Sequence, residues 1–125
     1  MTSTDLLVLA KRYFKAYDDL NIAVMSELLA DDVHWEHHNR FKGAGKSGLL
    51  ESIERIAGLA PDRRFGPIKR SAGADSRLFV EHDWRCTPKE ADVQRGWEAG
   101  KPFKMDVVSL VVVDQGRIVE WSDWG

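Results

Sequence analysis

Ala30-Asp31-Asp32-Val33-His34-Trp35-Glu36-His37-His38 holds three of the four histidines of a 125-residue chain and has the alternation of a strand. Side chains on a strand point to opposite faces with a period of two, so Val33, Trp35 and His37 share one face and His34, Glu36 and His38 the other. A strand with Val and Trp on one side and charged or titratable groups on the other is half buried, and its apolar face marks the inside. His37 therefore points inward with Trp35. An inward histidine there is either a hydrogen-bonded core residue or a proton-transfer group. The outward His34, Glu36 and His38 are suitable metal ligands in kind, but residues two apart on a strand need a further ligand from elsewhere, and the other ligand-rich segment faces inward. That face is read as solvated or as an interface, with no metal.

Outward from this stretch, the chain is of a length for one domain, residues 1–125, with a core of its own. A formal charge of −2 arises from mixed acids and bases, without the basic stripe that nucleic acid requires. The single cysteine, Cys86, excludes an internal disulfide framework and fits a reducing compartment. No basic leader opens the chain, and no apolar run approaches the length of about 20 residues that spans a bilayer. The expectation is a cytoplasmic protein with neither nucleic-acid nor membrane partners.

Leu6, Leu9, Ala10, Tyr13, Phe14 and Tyr17 recur at helical spacing behind Ser3 or Thr4 as N-cap, and Asn21 caps a shorter helix carrying Met25, Leu28 and Leu29. Leu49, Leu50, Ile53, Ile56 and Ala57 form a third helix, stopped at Gly58. Gly43-Ala44-Gly45-Lys46-Ser47 looks like half a phosphate loop, but Arg40 stands where the motif's first glycine belongs, so it is a loop feeding the helix. After residue 63 the pattern changes to strands. Arg64 to Arg70 is a modest candidate, and Leu78 to Cys86 is stronger, with Leu78, Val80, His82 and Trp84 on its more apolar face. Thr87 to Pro102 is a long connection or mobile flap with Trp97 as its odd residue. Phe103 to Val113 and Arg117 to Trp124 flank the turn Asp114-Gln115-Gly116. Three helices and then antiparallel strands make an α+β domain whose helices cover one face of a curved sheet.

These pieces resemble a known family. The Ala30-Asp31-Asp32 stop, the short strand after it, the glycine-led third helix, Gly100 to Phe103 and the closing Asp-x-Gly-Arg-Ile-Val-Glu-Trp-x-Asp of 114–123 resemble the nuclear transport factor 2-like superfamily, especially its SnoaL-like branch. The resemblance covers nearly the whole chain. It implies a cone-shaped α+β roll around one apolar pocket, often dimeric, in a group that includes ketosteroid isomerases, limonene epoxide hydrolase, polyketide cyclases and scytalone dehydratase. By that resemblance His37 falls at the isomerase's base and Tyr13 at its oxyanion-hole tyrosine. The isomerase's protonated aspartate falls on Val108, with Asp106 two residues earlier on the same face. Asp123 matches the closing-strand aspartate of the epoxide hydrolase, whose Arg-x-Asp partner is here only a reversed Asp83-Trp84-Arg85. His37 with His82 is similar to the histidine pair of the dehydratase.

The reading that follows is a cofactor-independent enzyme, an isomerase, cyclase, dehydratase or epoxide hydrolase, acting on a small apolar compound by general acid–base catalysis. His37 moves the proton, Tyr13 and Asp106 donate to an oxyanion, and Asp123 or His82 orients His37 or a water. Trp35, Trp121, Trp84, Val108 and Leu110 wall the pocket. The alternative is a small-ligand-binding domain without turnover. Apolar residues on both faces of Lys104 to Val113 add the expectation of a homodimer through the outer sheet face.

Overall fold

The computed structural model describes all 125 residues, Met1 to Gly125. Its first helix, α1, spans Ser3–Asp18 and buries Leu6, Leu9, Tyr13, Phe14 and Tyr17 on one stripe. The cap is Thr2 and not Ser3 or Thr4, because Asp5 stands three residues later and closes a capping box: Thr2 Oγ1 accepts from the Asp5 amide at 3.1 Å, and Asp5 accepts from the Thr2 amide at 3.0 Å. Ser3 instead donates to the Gly73 carbonyl at 2.8 Å. The far end of α1 meets the buried Arg63, which donates to the Tyr17 carbonyl at 2.7 Å and lies over its ring, a cation where the helix dipole is negative. Asn21 caps α2 (Ile22–Leu28), accepting from the Val24 amide.

The chain passes directly from α2 into β1 (Leu29–His37), then β2 (Phe41–Ala44), α3 (Lys46–Leu59), β3 (Arg64–Phe65), β4 (Arg70–Ala74), β5 (Arg77–Cys86), β6 (Phe103–Asp114) and β7 (Arg117–Trp124). The strand expected over Arg64 to Arg70 is split, since Gly66-Pro67 interrupts it and Pro67 has no amide to give. Between β6 and β7, Gln115 and Gly116 both take positive φ, 50° and 76°, as a two-residue hairpin turn of matching twist requires.

The sheet order is β2-β1-β7-β6-β5-β3, with β4 also on β5. All pairs are antiparallel except β1 with β7, which run parallel because β1 enters from the helical half and lies beside the last strand. One core cluster joins the stripes of α1, α2 and α3 to the inner faces of β1, β5, β6 and β7. The architecture is thus the expected α+β fold, three helices on one face of a mixed sheet.

Two segments are more ordered than their sequence pattern suggests. The glycine-rich stretch after Arg40 is strand β2, and the Trp35 indole lies across it: a Cβ on Gly43 would overlap that ring, and Trp35 Nε1 donates to the Gly45 carbonyl at 3.1 Å. Residues 87–102 are pinned rather than loose. Asp92 and Trp97 bridge, Gly100 donates to the Pro88 carbonyl, and Trp97 is buried against Trp84.

Candidate active site

Between the inner sheet face, α1, α3 and the 87–102 segment lies a cavity of about 550 Å³. Fourteen of its 23 lining residues are hydrophobic. Trp35, Trp84, Trp97, Trp121, Phe65 and Tyr17 supply aromatic walls, and the exposed Asn39, Arg40 and Gln94 lie at the rim.

Strand register sets a row of polar groups on the inner sheet face, and two of them, His37 and Asp123, line the cavity. His37 on β1 is the register partner of Asp123 on β7, and Asp123 is the partner of Ser109 on β6. Directly opposed residues share a face, so all three point inward. The Asp123 carboxyl is anchored through one oxygen: Oδ1 accepts from Ser109 Oγ at 2.5 Å and from Trp121 Nε1 at 3.1 Å. Oδ2 has no protein partner, and the residue lines the cavity. Burial among aromatic rings disfavours the charged form and raises the Asp123 pKa to about 6, while the two donors oppose the rise.

Tyr13 packs its ring 4.6 Å from Trp121 and lines the cavity together with Asp123, and its hydroxyl has no hydrogen-bond partner in the protein. Burial raises its pKa far above the ordinary tyrosine value, so it stays a neutral donor. Tyr17 differs, since its hydroxyl accepts from Trp84 Nε1 at 2.9 Å; burial pushes its pKa up to about 12. His37 is 7 % exposed, with Nε2 3.4 Å from the Gly125 backbone oxygen and its ring near Phe41. Desolvation lowers its pKa and favours neutral imidazole. No ion pair joins it to Asp123.

Of the residues anticipated from sequence, Tyr13, His37, Asp123, Trp35, Trp84 and Trp121 come together on this cavity. Asp106, Val108 and Leu110 do not. Asp106 is register partner to Asp83 and Val107 to His82, so His82 and Asp106 cannot both point inward. The inner face of β6 carries Met105, Val107, Ser109 and Val111, and the Asp106 side chain is 82 % exposed beside Lys69. His82 does point inward but lies behind the wall, stacked on Phe65 at 4.6 Å with Nε2 2.8 Å from Ser109 Oγ. Ser109 is the member of this row that the sequence reading does not include. Its signal is a single hydroxyl in the apolar run Val107 to Val113. The outward His34 and His38 flank Glu36, with His38 Nδ1 3.1 Å from its carboxylate, and no group of three or more His, Cys, Asp or Glu residues is placed to hold a metal ion.

Solved structures share this architecture. A protein from Xanthomonas campestris proposed to be a polyketide cyclase superposes with a TM-score of 0.85 at 15% identity, over 98% of this chain and 90% of that one. An LEH-like epoxide hydrolase from M. tuberculosis gives 0.77 at 17% identity, over 97% and 82% of the two chains. A protein with a ketosteroid isomerase-like fold from Catenulispora acidiphila, solved with trimethylamine, gives 0.78 at 15% identity, over 94% and 84%. At such identities the likeness is one of fold. No curated protein matches the sequence. No helix is long and apolar enough to cross a membrane. Residues 10–121 match the SnoaL-like domain, and the chain belongs to that family.

Proposed function

We propose that this SnoaL-like protein is a cofactor-independent acid–base enzyme that removes a proton next to the carbonyl of a small, flat, mostly apolar compound, leading to isomerisation or ring closure. The observation that carries this reading is the free Oδ2 of Asp123, a carboxylate held through its other oxygen in an aromatic cavity, with the unpartnered Tyr13 hydroxyl nearby. A base with a pKa near about 6 is largely ionised at neutral pH yet basic enough to take a carbon-bound proton from an activated position. Loss of that proton moves negative charge onto the carbonyl oxygen, where a neutral Tyr13 donates a hydrogen bond. Asp123 is the first proton acceptor in this scheme. His37, neutral and next in the row, passes the proton on. The aromatic walls hold the flat body of the substrate, and the exposed rim takes any polar substituent.

The test begins with a thermal-shift screen of apolar cyclic ketones and related carbonyl compounds, because a ligand of the folded state raises apparent stability. Compounds that bind are then followed by NMR in D₂O. Exchange of the proton beside the carbonyl, faster with protein than without, is the expected result. Binding in the cavity without any exchange sinks the enzymatic reading and leaves a ligand-binding domain.

A further inference from the structure

We infer that Ser109 and His82 are positioning residues of this site: His82 Nε2–H donates to Ser109 Oγ, Ser109 donates its one hydroxyl hydrogen to Asp123 Oδ1, and the line keeps Asp123 a carboxylate with Oδ2 turned to the cavity. The inference rests on the reading of Asp123 as the base. Its geometry is a chain of two contacts, 2.8 Å from His82 Nε2 to Ser109 Oγ and 2.5 Å from Ser109 Oγ to Asp123 Oδ1. Ser109 and His82 are wholly buried, so water does not replace either partner.

The direction of the hydrogens follows from counting them. A serine hydroxyl carries one hydrogen, and an ionised carboxylate carries none. The short contact to Asp123 therefore uses the serine hydrogen, and Ser109 must accept whatever His82 offers. Trp121 Nε1, which can only donate, also points at Oδ1, so that oxygen is an acceptor twice over. His82 is thereby fixed as the neutral tautomer with hydrogen on Nε2. Its Nδ1 agrees with this. That atom is buried with no partner, and Phe14 and Phe65 pack beside the ring. The opposite tautomer would leave a buried N–H with nothing to accept it, and orphaned donors of that kind are rare. When Asp123 takes a proton on Oδ2, Oδ1 still accepts, so the line need not reverse during turnover.

The ionisable groups around this line are Tyr13 and Tyr17 from α1, with Arg63 over Tyr17, His37 and His38 from β1, and Asp83 beside His82 on β5. None of them hydrogen-bonds to Asp123, whose protein partners are Ser109 and Trp121.

The experiment is an NMR titration of the Asp123 carboxyl and the His82 ring nitrogens in the unliganded protein, so it needs no substrate. The wild type is expected to show Asp123 titrating at about 6, with His82 in the Nε2–H form wherever its ring is neutral. Ser109→Ala raises the Asp123 midpoint by roughly one unit, the scale of a lost hydrogen bond to a charged group. His82→Phe raises it in the same direction. His82→Gln, whose amide N–H can stand where Nε2–H stood, restores the wild-type value. A His82 found in the Nδ1–H form overturns the inference on the wild type alone, even if a variant fails to fold. So does an Asp123 midpoint that Ser109→Ala leaves unmoved. Either failure leaves the role of Asp123 to be judged separately, by exchange with Asp123→Asn.

Discussion

At the scale of single residues, Asp123 sets the needs of the site against those of the fold. Its folded pKa, about 6, lies above the ordinary 3.8. The folded state thus holds a proton that the unfolded state has released between about pH 4 and pH 6, and stability falls as pH rises through that window. A shift of this size corresponds to roughly 3 kcal/mol above the window. Asp123→Asn, which still accepts from Ser109 and Trp121 through its amide oxygen, should be the more stable protein near neutral pH and should lose the advantage near pH 4. Urea unfolding at a series of pH values checks this, and parallel pH profiles for the two proteins would place the carboxyl in water. The same residue separates the two proposed proton carriers. Asp123→Asn should lower exchange by roughly 10² to 10⁴-fold, the usual worth of a positioned acid–base group, whereas His37→Gln should lower it less. If His37→Gln proves the more damaging, the histidine is the base and Asp123 serves it.

At the scale of elements, β1 and β2 act as one device. Trp35 is register partner to Gly43, and the absence of a side chain there lets the indole lie across β2 and donate to the Gly45 carbonyl. Gly43→Ala should cost roughly 1–3 kcal/mol, as overpacking does, and should perturb tryptophan fluorescence. A change within about 0.5 kcal/mol would mean that the wall moves freely. These strands also show what sequence can reveal. The parity of β1 is legible because one of its faces carries His34, Glu36 and His38, so a slip of one residue would bury charge. The Asn21 cap and the turn at Gln115-Gly116 are legible because their chemistry is local. The parity of β6 is not. Val107, Val111 and Val113 alternate with Val108, Leu110 and Val112, and a run apolar on both faces reads the same after a one-residue slip. Only the pairing with β5 decides it, and that pairing is non-local. With that parity open, the sequence pattern does not separate the outward Asp106 from the inward Ser109.

At the scale of the whole molecule, the outer sheet face remains apolar at its centre. Phe79, Val108 and Trp124 are 45%, 38% and 38% exposed, and they lie in adjoining rows, Phe79 opposite Leu110 and Val108 opposite Trp124. A contiguous patch of this kind is covered in most proteins, and a second copy of the chain is the partner proposed for it. Light scattering at micromolar concentration should give twice the 14.2 kDa of one chain, and Val108→Lys should halve that mass while leaving the cavity intact. A monomeric wild type would contradict the dimer without touching the site, because the cavity lies on the opposite face of the sheet. The measurement that bears most directly on the central claim is the rate of hydrogen–deuterium exchange beside the carbonyl of a bound apolar ketone, followed against pH for wild type and Asp123→Asn. The account predicts a wild-type rate that rises with a midpoint near about 6 and an Asp123→Asn rate lower by roughly 10² to 10⁴-fold at the plateau. Equal rates for two equally folded proteins would contradict it.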